Sequence, residues 1–238
     1  MKISCKIFWL NGVVLAGLLM PAGCANIRVS DTGCGASPWC YPAPPNDAIV
    51  LFDGRDFSRW VGEDGNSVKW QLVNGTMKVV TGTSSIVTKQ NFQDFRLHVE
   101  FNVPQLPPDV KDEARGNSGI YIQRRYEVQI LDSYGSQAAK TACGALYKTK
   151  APDKNVSKKP GDWQCFDILF RAPRWQGDKK IEDARITVLQ NNVVIHNNVI
   201  IPDKTGAGQP EGPQPGPIKL QEHGSPVLFR NVWIVPLD

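Results

Sequence analysis

Phe95-Arg96-Leu97-His98-Val99-Glu100-Phe101-Asn102-Val103 is the stretch that decides the fold. Phe95, Leu97, Val99, Phe101 and Val103 alternate with polar residues, and a strand sends successive side chains to opposite faces, so this segment is a strand with one core face and one wet face. The C-terminal segment reads the same way, with Val227, Phe229, Trp233 and Val235 on one parity and Arg230 on the other. Between Ile186-Thr187-Val188-Leu189 and Val193-Val194-Ile195 the pair Asn191-Asn192 suits a tight hairpin that needs positive φ. Helix formers are nowhere gathered into an amphipathic run, whereas Gly and Pro are abundant, 21 and 18 of 238 residues. The expectation is an all-β fold of ten or more strands, an antiparallel two-sheet jelly-roll sandwich around one core.

At the start of the chain Lys2 and Lys6 precede an apolar stretch, Ile7 to Met20, too short for a membrane span and suited to a secretory signal peptide over residues 1–23. Pro21-Ala22-Gly23-Cys24 resembles a lipoprotein cleavage box that would make Cys24 the lipidated first residue. Residues 24–46 read as anchor and linker, rich in Pro, Gly and small polar residues, and the folded domain is expected over 47–238. Export to the cell envelope or periplasm follows, with membrane contact through the lipid alone. In that oxidising compartment Cys34, Cys40, Cys143 and Cys165 form an even set whose pairing sequence leaves open.

The net charge of +4 is spread along the chain, with no block of like charges and no basic stripe interleaved with aromatics, which argues against nucleic acid as a partner. Two segments, 104–116 and 202–217, are too rich in Pro, Gly and charge to be strands. At the rim of one sheet they could wall a sugar-sized cleft; elsewhere they are surface insertions.

Ordered motifs then carry a resemblance. The domain opens on Leu51-Phe52-Asp53-Gly54-Arg55-Asp56-Phe57-Ser58-Arg59-Trp60, its middle holds Gly116-Asn117-Ser118-Gly119-Ile120-Tyr121 and Tyr126-Glu127-Val128-Gln129-Ile130-Leu131-Asp132, and its end holds Gly161-Asp162-Trp163-Gln164, Ile218-Lys219-Leu220-Gln221-Glu222-His223-Gly224 and Val227-Leu228-Phe229-Arg230-Asn231-Val232. Together these resemble the 3-keto-disaccharide hydrolase family from about Ile49 to the C-terminus, with Gln164 standing where that family has Asn. The resemblance implies a concanavalin A-like lectin/glucanase sandwich and hydrolysis of glycosides already oxidised to a ketone at sugar carbon 3. A separate sugar oxidoreductase would supply that oxidised carbohydrate.

The 3-keto group makes the carbon 2 hydrogen acidic, so a base can remove it, form an enolate and expel the glycosidic oxygen from carbon 1 before water adds. Glu127 and His223 are candidate catalytic residues, with Asp132 joining Glu127 only if a bulge turns it to the same face. Asn117, Arg124, Gln129, Gln221, Arg230, Tyr147 and Trp163 are candidate substrate-binding residues, through hydroxyl hydrogen bonds, enolate charge or ring stacking. Each also has a plainer reading as a turn former, ion-pair partner or core residue. A divalent ion held by Glu127, Asp132 and His223 would suit enolate stabilisation, though the sequence requires none. Two other readings stand beside this one: a non-catalytic carbohydrate-binding envelope protein and, more weakly, an endoglucanase, which needs two carboxyls at a set separation.

Overall fold

The computed structural model describes residues 43–237. The segments read above as signal peptide, lipidation site at Cys24 and most of the linker, with Cys34 and Cys40, lie outside them.

Fifteen strands and one 3-10 turn make up the described residues: β1 (Ile49–Phe52), β2 (Trp60–Gly62), β3 (Gln71–Val73), β4 (Thr76–Lys78), β5 (Ile86–Thr88), β6 (Asp94–Asn102), the turn Asp112–Ala114, β7 (Ser118–Ile122), β8 (Tyr126–Ile130), β9 (Trp163–Arg171), β10 (Arg174–Gln176), β11 (Lys179–Glu182), β12 (Ala184–Gln190), β13 (Val193–Ile201), β14 (Lys219–Leu220) and β15 (Leu228–Leu237). An eight-stranded sheet runs β13-β12-β9-β6-β15-β4-β3, with β1 also paired to β15. A five-stranded sheet runs β2-β5-β14-β7-β8, and β10 pairs with β11 as a separate ribbon. Every pairing is antiparallel, so the chain is the expected all-β two-sheet sandwich.

The alternation in β6 sets the core. Phe95, Leu97, Val99 and Phe101 are fully buried beside Phe166, Ile168 and Phe170 of β9, and from the other sheet Ile120, Ile122, Tyr126, Val128 and Leu220 meet them. The Tyr126 and Phe170 rings lie 5.4 Å apart, joining the layers. Each such ring or aliphatic group contributes about 1.5–3 kcal/mol by leaving water. Asn191 and Asn192 take φ of 52° and 66° between Gln190 and Val193, the left-handed pair a two-residue hairpin needs. Trp60 and Trp70 are core residues whose indole N–H groups donate to Leu51 O at 2.8 Å and Ser84 O at 3.0 Å.

The C-terminal parity is corrected by the structure. Arg230 pairs with Glu100 and Trp233 with His98, three residues on β15 against two on β6, so a bulge inserts one residue, and Asn231 there has φ 45°. Phe229, Val232 and Ile234 therefore face the core, and Trp233 lies with Arg230 on the opposite face. That face holds a buried polar group: His98 Nδ1 is 3.0 Å from Asp167 Oδ1, Arg230 Nε donates to Glu100 Oε2 at 2.6 Å, Asn231 Nδ2 donates to Glu100 Oε1 at 2.7 Å, and the His98 ring stacks on Trp233 at 5.0 Å. Cys143 and Cys165 are both buried free thiols and do not bridge.

Candidate active site

Sheet register builds the site on the outward face of the five-stranded sheet. Ile120, Ile122 and Val128 point inward, so their neighbours Gly119, Tyr121, Glu127 and Gln129 point outward. Tyr121 stands between Glu127 of β8 and Lys219 of β14 in one cross-strand row. In the next row Gly119 lies opposite Gln129, and its carbonyl accepts the Gln221 N–H at 2.9 Å. The β7–β8 turn places Gln123 and Arg124 at φ 54° and 58°, unusual for side-chain-bearing residues. Their side chains hold it: buried Gln123 Nε2 donates to Phe92 O at 2.8 Å, and Arg124 pairs with Glu63 at 2.8 Å.

β8 is an edge strand, and its free edge is covered. Gly144 N–H donates to Gln129 O at 2.8 Å, Gln129 N–H to Ala145 O at 2.9 Å, Tyr147 N–H to Glu127 O at 3.2 Å and Glu127 N–H to the Thr205 hydroxyl at 2.6 Å. Both irregular segments thus stand beside the carboxylate. Residues 202–217 bring Gly206 and Ala207, and residues 104–116 bring Glu113, whose Oε2 accepts the Tyr147 hydroxyl at 2.6 Å. The result is a cleft of about 310 Å³ lined by Asn117, Tyr121, Glu127, Gln129, Tyr147, Lys148, Gly206, Ala207, Gln221 and His223.

Glu127 dominates its electrostatics. Burial raises its carboxyl to about 7 and the charge of Glu113 pushes the same way, while the Tyr121 hydroxyl and the cations of Lys219 and Lys148 oppose them. At neutral pH this group can both take and return a proton. Tyr121 is driven well above the usual phenol range by burial and by Glu127, which keeps it a hydrogen-bond donor. Lys219 lies 4.8 Å from the Tyr121 ring centre and is bound to Glu63 at 2.7 Å. Tyr147 is pushed up to about 12 by its bond to Glu113 and by partial burial.

Of the residues named from sequence, Glu127, Gln129, Asn117, Gln221, His223 and Tyr147 line this cleft, His223 at its exposed mouth. Four do not. Asp132 follows β8 without a bulge and is bound by Arg115 at 2.6 Å, so the set Glu127, Asp132 and His223 is not assembled around one point. Among the described residues no group of three His, Cys, Asp or Glu could hold a metal ion. Arg124 is taken up by Glu63. Arg230 and Trp163 belong to the eight-stranded sheet, the guanidinium 3.9 Å above the indole. Sequence reading did not single out Lys148, Thr205, Gly206, Ala207 or Glu113, which sit in connections without periodicity. Only the length of their loops could have pointed to them.

Comparison with known proteins places this geometry in a family. The family described as 3-keto-alpha-glucoside-1,2-lyase-like domain matches residues 47–235. A candidate glycosyl hydrolase of Parabacteroides distasonis ATCC 8503 has a crystal structure that superposes with a TM-score of 0.73 at 35% identity, covering 92% of this chain and 100% of that one. The 3-keto-disaccharide hydrolase of Bacteroides thetaiotaomicron is 22% identical over 240 residues, covering 83% of this chain and 81% of its own length. The alginate lyase Aly36B, at 11% identity and a TM-score of 0.52 over 83% of this chain and 100% of that one, shares the fold.

Proposed function

The chain belongs to the 3-keto-alpha-glucoside-1,2-lyase-like domain family, whose relatives support a glycoside hydrolase or lyase type of function, and from that premise we propose that it hydrolyses 3-keto-glycosides by elimination and hydration. The observation that carries this reading is Glu127, a carboxyl 2% exposed that lines the cleft, poised near pH 7, with Oε2 buried and unpaired. A general base works best when its pKa lies near the operating pH.

In the proposed reaction Glu127 takes the carbon 2 proton, and the C–H electrons pass into an enolate with its oxygen on carbon 3. His223 and Lys148, both exposed residues lining the cleft, would donate to that oxygen. The enolate then re-forms the ketone as a carbon 1–carbon 2 double bond forms and the bond from carbon 1 to the glycosidic oxygen breaks. The proton held by Glu127 is available to the departing oxygen. Water adds across the double bond, hydroxyl to carbon 1 and hydrogen to carbon 2, so the sum is hydrolysis. Endoglucanase chemistry fits less well, because Asp132 is held away by Arg115 and Glu113 is engaged by Tyr147, leaving one carboxylate lining the cleft. The oxidation at carbon 3 falls to a separate oxidoreductase. The N-terminal segment fits delivery of the protein to the envelope on a lipid at Cys24.

The test is cleavage of a 3-keto-glucoside beside its unoxidised parent, by the wild type and by Glu127→Gln. Cleavage of the keto substrate alone, lowered at least 10²-fold in the variant, is the expected result. Equal cleavage of both substrates would exclude elimination.

A further inference from the structure

Three oxygens in the cleft, Glu127 Oε2, Gln129 Oε1 and Gln221 Oε1, are buried and meet no donor. Glu127 and Gln129 are 2% and 1% exposed. Leaving one buried acceptor unpaired costs on the order of 1–3 kcal/mol, and folded proteins keep few such atoms. Three in one cleft mark a surface that a ligand completes. The deficit is one-sided, since what is missing is donors.

We infer that the cleft floor reads hydroxyl groups: Gln129 and Gln221, on either side of Gly119, accept hydrogen bonds from ring hydroxyls of the bound sugar and so determine which sugars enter. This deepens the reading above and rests on it for the identity of the ring. The amides are held on a fixed frame. Gln129 is bonded through its backbone to Gly144 and Ala145, and the Gln221 carbonyl accepts the Ser118 hydroxyl at 2.7 Å. Gln221 Nε2 points to the Tyr121 hydroxyl at 3.4 Å, which leaves Oε1 for the ligand. Gly119 makes the floor possible, because a Cβ there would lie 2.6 Å from Glu127 Oε1 and 3.1 Å from Gln221 Oε1. At about 310 Å³ the cleft is at the small end for ligand sites, suited to one sugar ring with its substituent at the exposed mouth. The hydroxyls being read therefore belong to the reacting ring, and the departing group is read loosely.

Replacing a hydroxyl by fluorine keeps its size but removes the donor, so deoxyfluoro sugars isolate this property. Calorimetric titration of the wild type with 3-keto-glucose and its 2-, 4- and 6-deoxyfluoro analogues should show at least a tenfold loss of affinity at two positions. Gln129→Leu should abolish the discrimination at one of them and Gln221→Leu at the other. Equal affinity across the series, or no binding of any ring, overturns the inference; so does unchanged discrimination in both variants. If either variant fails to fold, the series on the wild type decides. Turnover of a 3-keto-glucoside is followed in parallel: discrimination without turnover rejects the proposed reaction and keeps the reader, whereas turnover without discrimination rejects the reader alone.

Discussion

The Thr205 hydroxyl accepts the backbone N–H of Glu127 at 2.6 Å, fastening a connecting segment to the residue that carries the reactive carboxyl. Gly206 follows directly, and a Cβ at that position would lie 3.0 Å from Glu127 Oε2, so wall and carboxylate are set by the same contact. Thr205→Val removes the acceptor from a buried N–H and should cost about 1–3 kcal/mol of stability, with kcat falling as the wall loosens. Thr205→Ser should restore both. Thermal melts and steady-state kinetics on the three proteins check this.

Activity should rise with pH along a limb centred near 7, where Glu127 loses its proton. The same shift has a stability consequence. Glu127 is raised from 4.5 to about 7 on folding, so the unfolded chain ionises first and stability falls as pH climbs between those values. Glu127→Gln should therefore be the more stable protein at pH 8, by up to about 3 kcal/mol, with the gain gone near pH 4. Denaturant melts at the two pH values give the answer.

Glu113 and Tyr147 should tune that limb. Glu113 raises the pKa of Glu127 through like charge, so Glu113→Gln should move the acid limb to lower pH. Tyr147→Phe, which leaves that charge in place, should weaken substrate binding and shift the limb less. Profiles of kcat/KM against pH for both variants separate the two effects.

On the other sheet the expected outcome is loss of stability alone. Arg230→Ala strips a cation from Glu100, which is 1% exposed, and should destabilise the fold by roughly 3 kcal/mol without changing kcat. His98 adds a pH dependence. Burial by itself lowers its pKa, but bonds and charges from Asp167 and Glu100 outweigh this and raise it above 6.5. Its contribution is complete below that value and is lost as pH rises through the folded pKa. His98→Gln should flatten this part of the stability curve in melts from pH 6 to 9.

The fold was legible where periodicity is local. Phe95 to Phe101 announces its apolar face, and Asn191-Asn192 its hairpin, because both signals lie within a few adjacent residues, but the face expected to be wet is buried at His98, Glu100 and Asn102. Glu127 and Gln129 share a face because a strand keeps parity over a short run, whereas Gln221 joins them only through the pairing of β14 with β7. Arg230 and Trp163 do not join them, since their position depends on which sheet each strand joins. Plain alternation puts Trp233 on the wrong face, because parity beyond Phe229 depends on one extra residue at Asn231. Lys148, Thr205 and Gly206 act through loop positions that obey no repeat, and only the fold brings them to the cleft.

That extra residue stands outside the two-residue repeat of β15. Because Phe229 faces in, Arg230 out, Val232 in, Trp233 out and Ile234 in, removing Asn231 alone would leave plain alternation with every face kept and lose the Asn231–Glu100 bond, whereas drawing Asn231 into regular pairing would turn every following side chain over. The last strand thus holds one position whose loss leaves all its faces in phase, and Asn231 is that position.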